Sequence, residues 1–290
     1  MLIWHNQTFH IVYFLAFSVI PIVSTVLLTH DTHRIVNSVL GVWGTVIAQL
    51  VSSRPPHRFF PSSAIMSVRF FNYFCSHMKE QYQEERGNSI THLIGAVFAL
   101  SSIWMVWPAA SLGWQWSMGV IFFIAGMFLM FLSSTIYHFL PPGHARGVMR
   151  RLDHISIYVM IACSYTPICV SVVGGVVGWT VFAILWAVAI GGSVYKIVAI
   201  GRYPRLSLAM YLVMGWSVVF IAKPVYDNLS PLSLLLLLAE GLMYTTGTYF
   251  YARDTRRHYH MVWHIFVLLG AIAHWGAVLT VIMGETAARG

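Results

Sequence analysis

Apolar residues run in long blocks along most of the chain, separated by short stretches in which Arg, Lys, Gly and Pro collect. About 20 predominantly apolar residues cross the ~30 Å hydrocarbon core of a bilayer as a helix, and irregular backbone cannot face lipid, so each block is expected to be one spanning helix. Seven such blocks follow residue 88, with approximate limits 90–107, 117–139, 155–173, 177–197, 205–223, 231–251 and 259–283. Their connections are short, which makes successive helices antiparallel neighbours. Pro167, inside the third, is expected to kink it. Two further apolar runs, 11–29 and 35–51, come earlier and are long enough for an extra helical hairpin, although Pro21 interrupts one and Gly41 and Gly44 loosen the other. No Lys or Arg precedes the first run and no A-x-A site follows it, which argues against a secretory signal.

Composition supports the same class. Residues of the AVILMFWYC set make up 58% of the 290, and charged residues only 9%. A soluble globule of this size could not wet its surface with nine acids and seventeen bases. A soluble enzyme, a disordered chain and a disulfide-rich secreted domain are thereby excluded, leaving an all-α polytopic membrane protein. The formal charge of +8 does not point to nucleic acid, because the bases lie in short clusters between apolar runs. They fall in alternate loops: Arg146, Arg150 and Arg151 after the second helix, Arg202 and Arg205 (with Lys196 nearby) after the fourth, and Arg253, Arg256 and Arg257 after the sixth. Cytoplasmic loops collect Lys and Arg, so these loops are expected inside, with Lys79 and Arg86 before the first helix inside and the C-terminus outside. Cys75, Cys163 and Cys169 are odd in number and form no C-x-x-C, which indicates neither a disulfide framework nor a thiolate metal site.

Fourteen histidines stand out in a chain so poor in charge. His138 ends the second helix, Asp153 begins the third, and His260 and His264 begin the seventh, all on the cytoplasmic side. At i and i+4, the last two are about 40° apart on one face and about 6 Å apart along the axis, so both imidazoles can reach one ion. His138, His260 and His264 are thus candidate ligands of a tetrahedral zinc, with a fourth place for water if the site is catalytic. Asp153 could bind the metal or act as a base beside it, and Ser134, one turn before His138, could orient that ligand or hold a water. Taken singly, each has a plainer reading: Asp153 as a charge favoured by a helix N-terminus, the histidines as interfacial polar residues. His92 begins the first helix at the same level, either supporting the site or serving as a polar helix start. His154 points about 100° away from Asp153, and His258 faces away from His260. His274, ten residues beyond His264, is about 15 Å too far along to join the metal.

Five motifs in order, E-x-x-N-S-I-T-H-L-I-G (Glu85 to Gly95), S-x-x-x-H (Ser134 to His138), R-R-L-D-H (Arg150 to His154), S-Y-T-P (Ser164 to Pro167) and H-M-V-W-H (His260 to His264), resemble the bacterial hemolysin III proteins. That family is related to the progestin and adiponectin receptors and more distantly to alkaline ceramidases. The resemblance covers about residues 79–284. It implies seven helices and a zinc near the cytoplasmic face of the bacterial plasma membrane, with His138, His260 and His264 as ligands, Asp153 close by and Ser134 a turn below. The domain expected is therefore 78–290. Residues 1–77 are an N-terminal extension without counterpart in the pattern, and Met78 is a candidate natural start.

Two functions from different classes remain open. One is a zinc hydrolase of a lipid amide or ester, with Asp153 and Ser134 at the reacting centre. The other is a non-enzymatic receptor or membrane-homeostasis protein whose zinc is structural. A cytolytic pore, suggested by the family's name, fits least, because the spans carry no rings of charge and a single mid-membrane acid, Glu240. Three protein ligands opening on a cavity to lipid favour the hydrolase; four ligands without a cavity favour the structural metal. Glu240 lies at the depth of His274 on the next helix, so the two can share a proton; alternatively Glu240 is protonated and bonded to a group such as Tyr244 or Thr245.

Overall fold

The computed structural model describes residues 83–289, and the seven expected spans in them are helices. They are α1 (Gln83–Leu112), α2 (Trp114–Phe139), α3 (His144–Val173), α4 (Gly175–Ala199), α5 (Pro204–Asn228), α6 (Pro231–Tyr251) and α7 (Tyr259–Arg289). No strand occurs among the described residues. All but α6 are long and apolar enough to cross a membrane. In α6, Glu240 and the Tyr, Thr and Gly residues that follow dilute the leucines of its first half. The hairpin expected within 11–51 and the start at Met78 lie outside the described residues.

Local chemistry explains several boundaries. Ser230 caps α6, its hydroxyl accepting from the Ser233 amide at 3.1 Å, and Pro231 follows where its missing N–H is not needed. Two helices start well before the apolar blocks suggest: α1 at Gln83 rather than 90, and α3 at His144 rather than 155. Hydropathy registers only the hydrocarbon crossing, whereas the backbone hydrogen-bond ladder continues through Glu84 to Asn88 and through His144 to Asp153. Asp153 is consequently about two and a half turns inside α3 and not a charge at a helix start.

Helices α2 and α3 approach closely because small residues line one face of α2. A Cβ at Gly126 would stand 2.5 Å from the Cys163 Cβ, and one at Gly119 would stand 2.7 Å from the Pro167 Cα. In lipid, such van der Waals contact between backbones is a main source of helix association. Beyond Pro167 the helix widens into a π-helical stretch, Ile168–Val173, so the expected distortion takes the form of an altered repeat. Helix α5 is broken by a 3-10 stretch, Trp216–Ile221. Tyr165 on α3 bridges that break: its hydroxyl donates to the Gly215 carbonyl at 2.5 Å and accepts from the Val218 amide at 2.8 Å. Elsewhere α5 packs loosely, and it meets α6 sparsely. A cavity of about 620 Å³ occupies the space among α3, α5, α6 and α7.

Candidate metal centre

His138 stands in the last turn of α2, and His260 and His264 stand in the first two turns of α7. The three rings converge, with centroids 5.1 Å apart for His138 and His260, 4.9 Å for His138 and His264, and 4.7 Å for His260 and His264. One nitrogen from each lies within 4.8 Å of the others, so the group could hold a metal ion. His138 and His264 are buried, at 6% and 2% exposure.

The outer face of each buried ring is occupied in a way that aims the other nitrogen inward. The Glu85 carboxylate lies 2.6 Å from Nδ1 of His138 and is held on its other oxygen by the Arg146 guanidinium. Nδ1 of His264 lies 3.1 Å from the Asn88 carbonyl, which also accepts from the Thr91 hydroxyl at 2.8 Å. Both arrangements assign the Nδ1 proton to the outer partner and leave Nε2 with its lone pair for an ion. In His138 that Nε2 is buried and has no hydrogen-bond partner.

Glu85, Asn88 and His92 occupy one face of α1 at i, i+3 and i+7. Glu85, Asn88 and Arg146 were not among the expected site residues, although that spacing is a signal pointing to the first two. The His92 ring stacks on His264 at 3.6 Å with planes 9° apart, and it is 3% exposed. The Ser89 hydroxyl donates to the Thr135 carbonyl at 3.0 Å and ties this part of α1 to α2.

The cavity begins at this centre. His92, Ser134, Asp153, His260 and His264 line one end, together with His154, Arg150 and Lys196. Ser134 is buried, and its hydroxyl has no hydrogen-bond partner among the described residues. His154 lies outside the three-histidine group. His258, at φ 63°, lies in the turn before α7, where its amide donates to the Glu84 carboxylate at 2.7 Å. The far end of the cavity holds Glu240 and His274, and the expected pairing is present: Nδ1 of His274 is 2.7 Å from Oε2 of Glu240. Between the ends the walls are mostly apolar. Trp216, Val219 and Leu238 line the gap between α5 and α6 and are also exposed on the bundle's flank, so the cavity opens sideways.

The chain matches the family described as Haemolysin-III related over residues 80–275. It is 38% identical to the Hemolysin-3 homolog of Bacillus subtilis (strain 168) over 200 residues, 68% of this chain and 93% of that protein. It is 36% identical to Hemolysin-3 of Bacillus cereus over 204 residues, 70% of this chain and 93% of the relative. A more distant relative, the Heptahelical transmembrane protein ADIPOR2 of Oryza sativa subsp. japonica, is 28% identical over 184 residues, 55% of this chain and 79% of its own. No solved structure matches the chain. The matched span takes in every motif from Glu85 to His264 and most of the seven helices, and on this ground the chain, a multi-pass membrane protein, belongs to the haemolysin-III related family.

Proposed function

We propose that the protein is a zinc-dependent hydrolase of a lipid amide or ester, working at the cytoplasmic face of a bacterial plasma membrane. The observation that carries this reading is the continuity of one cavity from the three-histidine group to the flank of the bundle. A lipid chain can enter sideways between α5 and α6 while its polar head reaches the histidines. The basic loops lie at that same end, and the positive-inside rule turns it to the cytoplasm.

Zinc suits the donor set. Four-coordinate zinc takes imidazole nitrogens at about 2.0–2.1 Å, which sets ligand atoms roughly 3.4 Å apart. The nitrogens here lie within 4.8 Å, so closing the group takes side-chain shifts of about an ångström. The buried, unpartnered Nε2 of His138 supports the fit, since a native interior rarely leaves such an atom unused. Bound there, zinc would polarise a carbonyl and make a water molecule acidic near neutral pH. Asp153 takes the proton as the water oxygen attacks the carbonyl carbon, and returns it to the departing amine or alcohol. Ser134, which lines the same cavity, steadies the Asp153 carboxylate.

A second reading, a receptor or membrane-homeostasis protein with structural zinc, is favoured by one observation: α2 and α7 meet sparsely apart from the histidine group, so an ion would join them. Lipid mass spectrometry separates the two. Purified, zinc-loaded protein is incubated with a mixed lipid extract beside His264→Ala and Asp153→Asn. The hydrolase predicts a depleted lipid and its free acid, neither change with either variant, and zinc retained in Asp153→Asn. Stoichiometric zinc with an unchanged lipid profile sides with the structural metal. Full turnover by Asp153→Asn removes that residue from the chemistry.

A further inference from the structure

We propose that Glu240 and His274 form a second recognition point in the same cavity, one that holds a hydroxyl group carried part-way along the chain of the bound lipid. This rests on the reading of the cavity as a lipid site.

The pair lies where an acid needs a reason. A carboxyl among apolar helices is costly to bury unless it is partnered. His274, 3% exposed, answers one oxygen, with Nδ1 2.7 Å from Oε2. The other oxygen, Oε1, closes no hydrogen bond among the described residues, and Glu240 lines the cavity with 15% of its side chain exposed. Oε1 is an acceptor when the proton shared across this contact lies on Nδ1 or on Oε2. If the proton is on Nδ1, Glu240 is a carboxylate; if it is on Oε2, Oε1 is a carbonyl oxygen.

Two neighbouring donors are committed elsewhere. The Tyr165 hydroxyl bridges Gly215 and Val218, and Nε1 of Trp216 donates to the Thr245 hydroxyl at 3.1 Å. Tyr244, four residues along α6 and on the same face as Glu240, also lines the cavity, and its hydroxyl has no partner among the described residues. An acceptor from Glu240 and a donor from Tyr244 complement one group that both donates and accepts: an alcohol. A charged amine has no lone pair and so offers Tyr244 nothing to donate to.

Position defines the ligand further. His274 lies ten residues beyond His264, about 15 Å along α7. A lipid with its head at the histidines therefore presents mid-chain carbons to Glu240, and the class recognised is a hydroxylated acyl chain.

The test uses the full-length, zinc-loaded protein in nanodiscs and measures binding of octadecanoic acid and of hydroxyoctadecanoic acids in which the hydroxyl is walked along the chain. Affinity is expected to peak at one mid-chain position, about tenfold above the unsubstituted acid. Glu240→Leu should abolish the peak and leave octadecanoic acid binding and zinc content unchanged. Tyr244→Phe should lower the peak without moving it. A flat series in the native protein, with octadecanoic acid still bound, overturns the recognition point and leaves the lipid cavity standing. Failure of octadecanoic acid itself to bind removes both. A peak that persists in Glu240→Leu also overturns the proposal.

Discussion

Replacing Glu85 with alanine should weaken metal binding although Glu85 is not one of the three histidines. Its carboxylate holds Nδ1 of His138 at 2.6 Å and is itself held by Arg146. The carboxylate side chain is 21% exposed and the imidazole 4%, so solvent screens the contact little. A hydrogen bond to a charged group at such a site contributes about 1.5–3 kcal/mol, which corresponds to one or two powers of ten in affinity. Outer partners of metal-bound histidines show losses of that order, about 10–100-fold. Glu85→Gln keeps an acceptor for the Nδ1 proton but gives up the charge, and so should fall between the native protein and Glu85→Ala. Competition against a chelator of known affinity, with the bound metal counted by elemental analysis, reads the difference directly. Native affinity in Glu85→Ala, measured where His138→Ala has lost its metal, would show that the carboxylate does not orient the ring.

Gly126→Val should destabilise the bundle by at least about 1–3 kcal/mol, because the new side chain would overlap Cys163 across the α2–α3 contact; thermal unfolding in detergent measures this, and partial recovery with Cys163→Ala would locate the clash. His274→Leu strands a carboxyl in the bundle and should cost about 3–5 kcal/mol, whereas Glu240→Leu/His274→Leu removes both polar groups and should recover most of it. Equal losses in single and double variants would mean that the pair is not coupled. Removal of residues 1–77 should leave zinc stoichiometry and thermal stability unchanged, since the family match begins at residue 80; loss of either would make the extension part of the working protein.

Where apolar blocks coincide with helices, the fold was legible in the chain. The limits expected for 231–251 are those of α6, because Ser230 and Pro231 mark the start chemically and α6 ends where the basic turn begins. The three histidines were legible for a related reason, since helical periodicity fixes which side of α7 carries His260 and His264. The first turns of α1 and α3 were hidden, because their polar residues break the apolar pattern. Glu85 illustrates this: in hydropathy it looks like a loop charge, yet it is a helical residue turned towards His138. The stacking of His92 on His264 depends on how α1 meets α7, which no periodicity within one helix contains.

The bond from Tyr165 across the break in α5 has a mechanical consequence. A helix interrupted by a 3-10 stretch would ordinarily hinge there, its two halves swinging separately. Here one hydroxyl grips the Gly215 carbonyl on one side of the turn and the Val218 amide within it, and so acts as a fixed pivot anchored on α3. Widening the gap beside α6 without breaking that contact would require Pro204–Gly215 or Ala222–Asn228 to rotate about it, as a lever turns on its pivot.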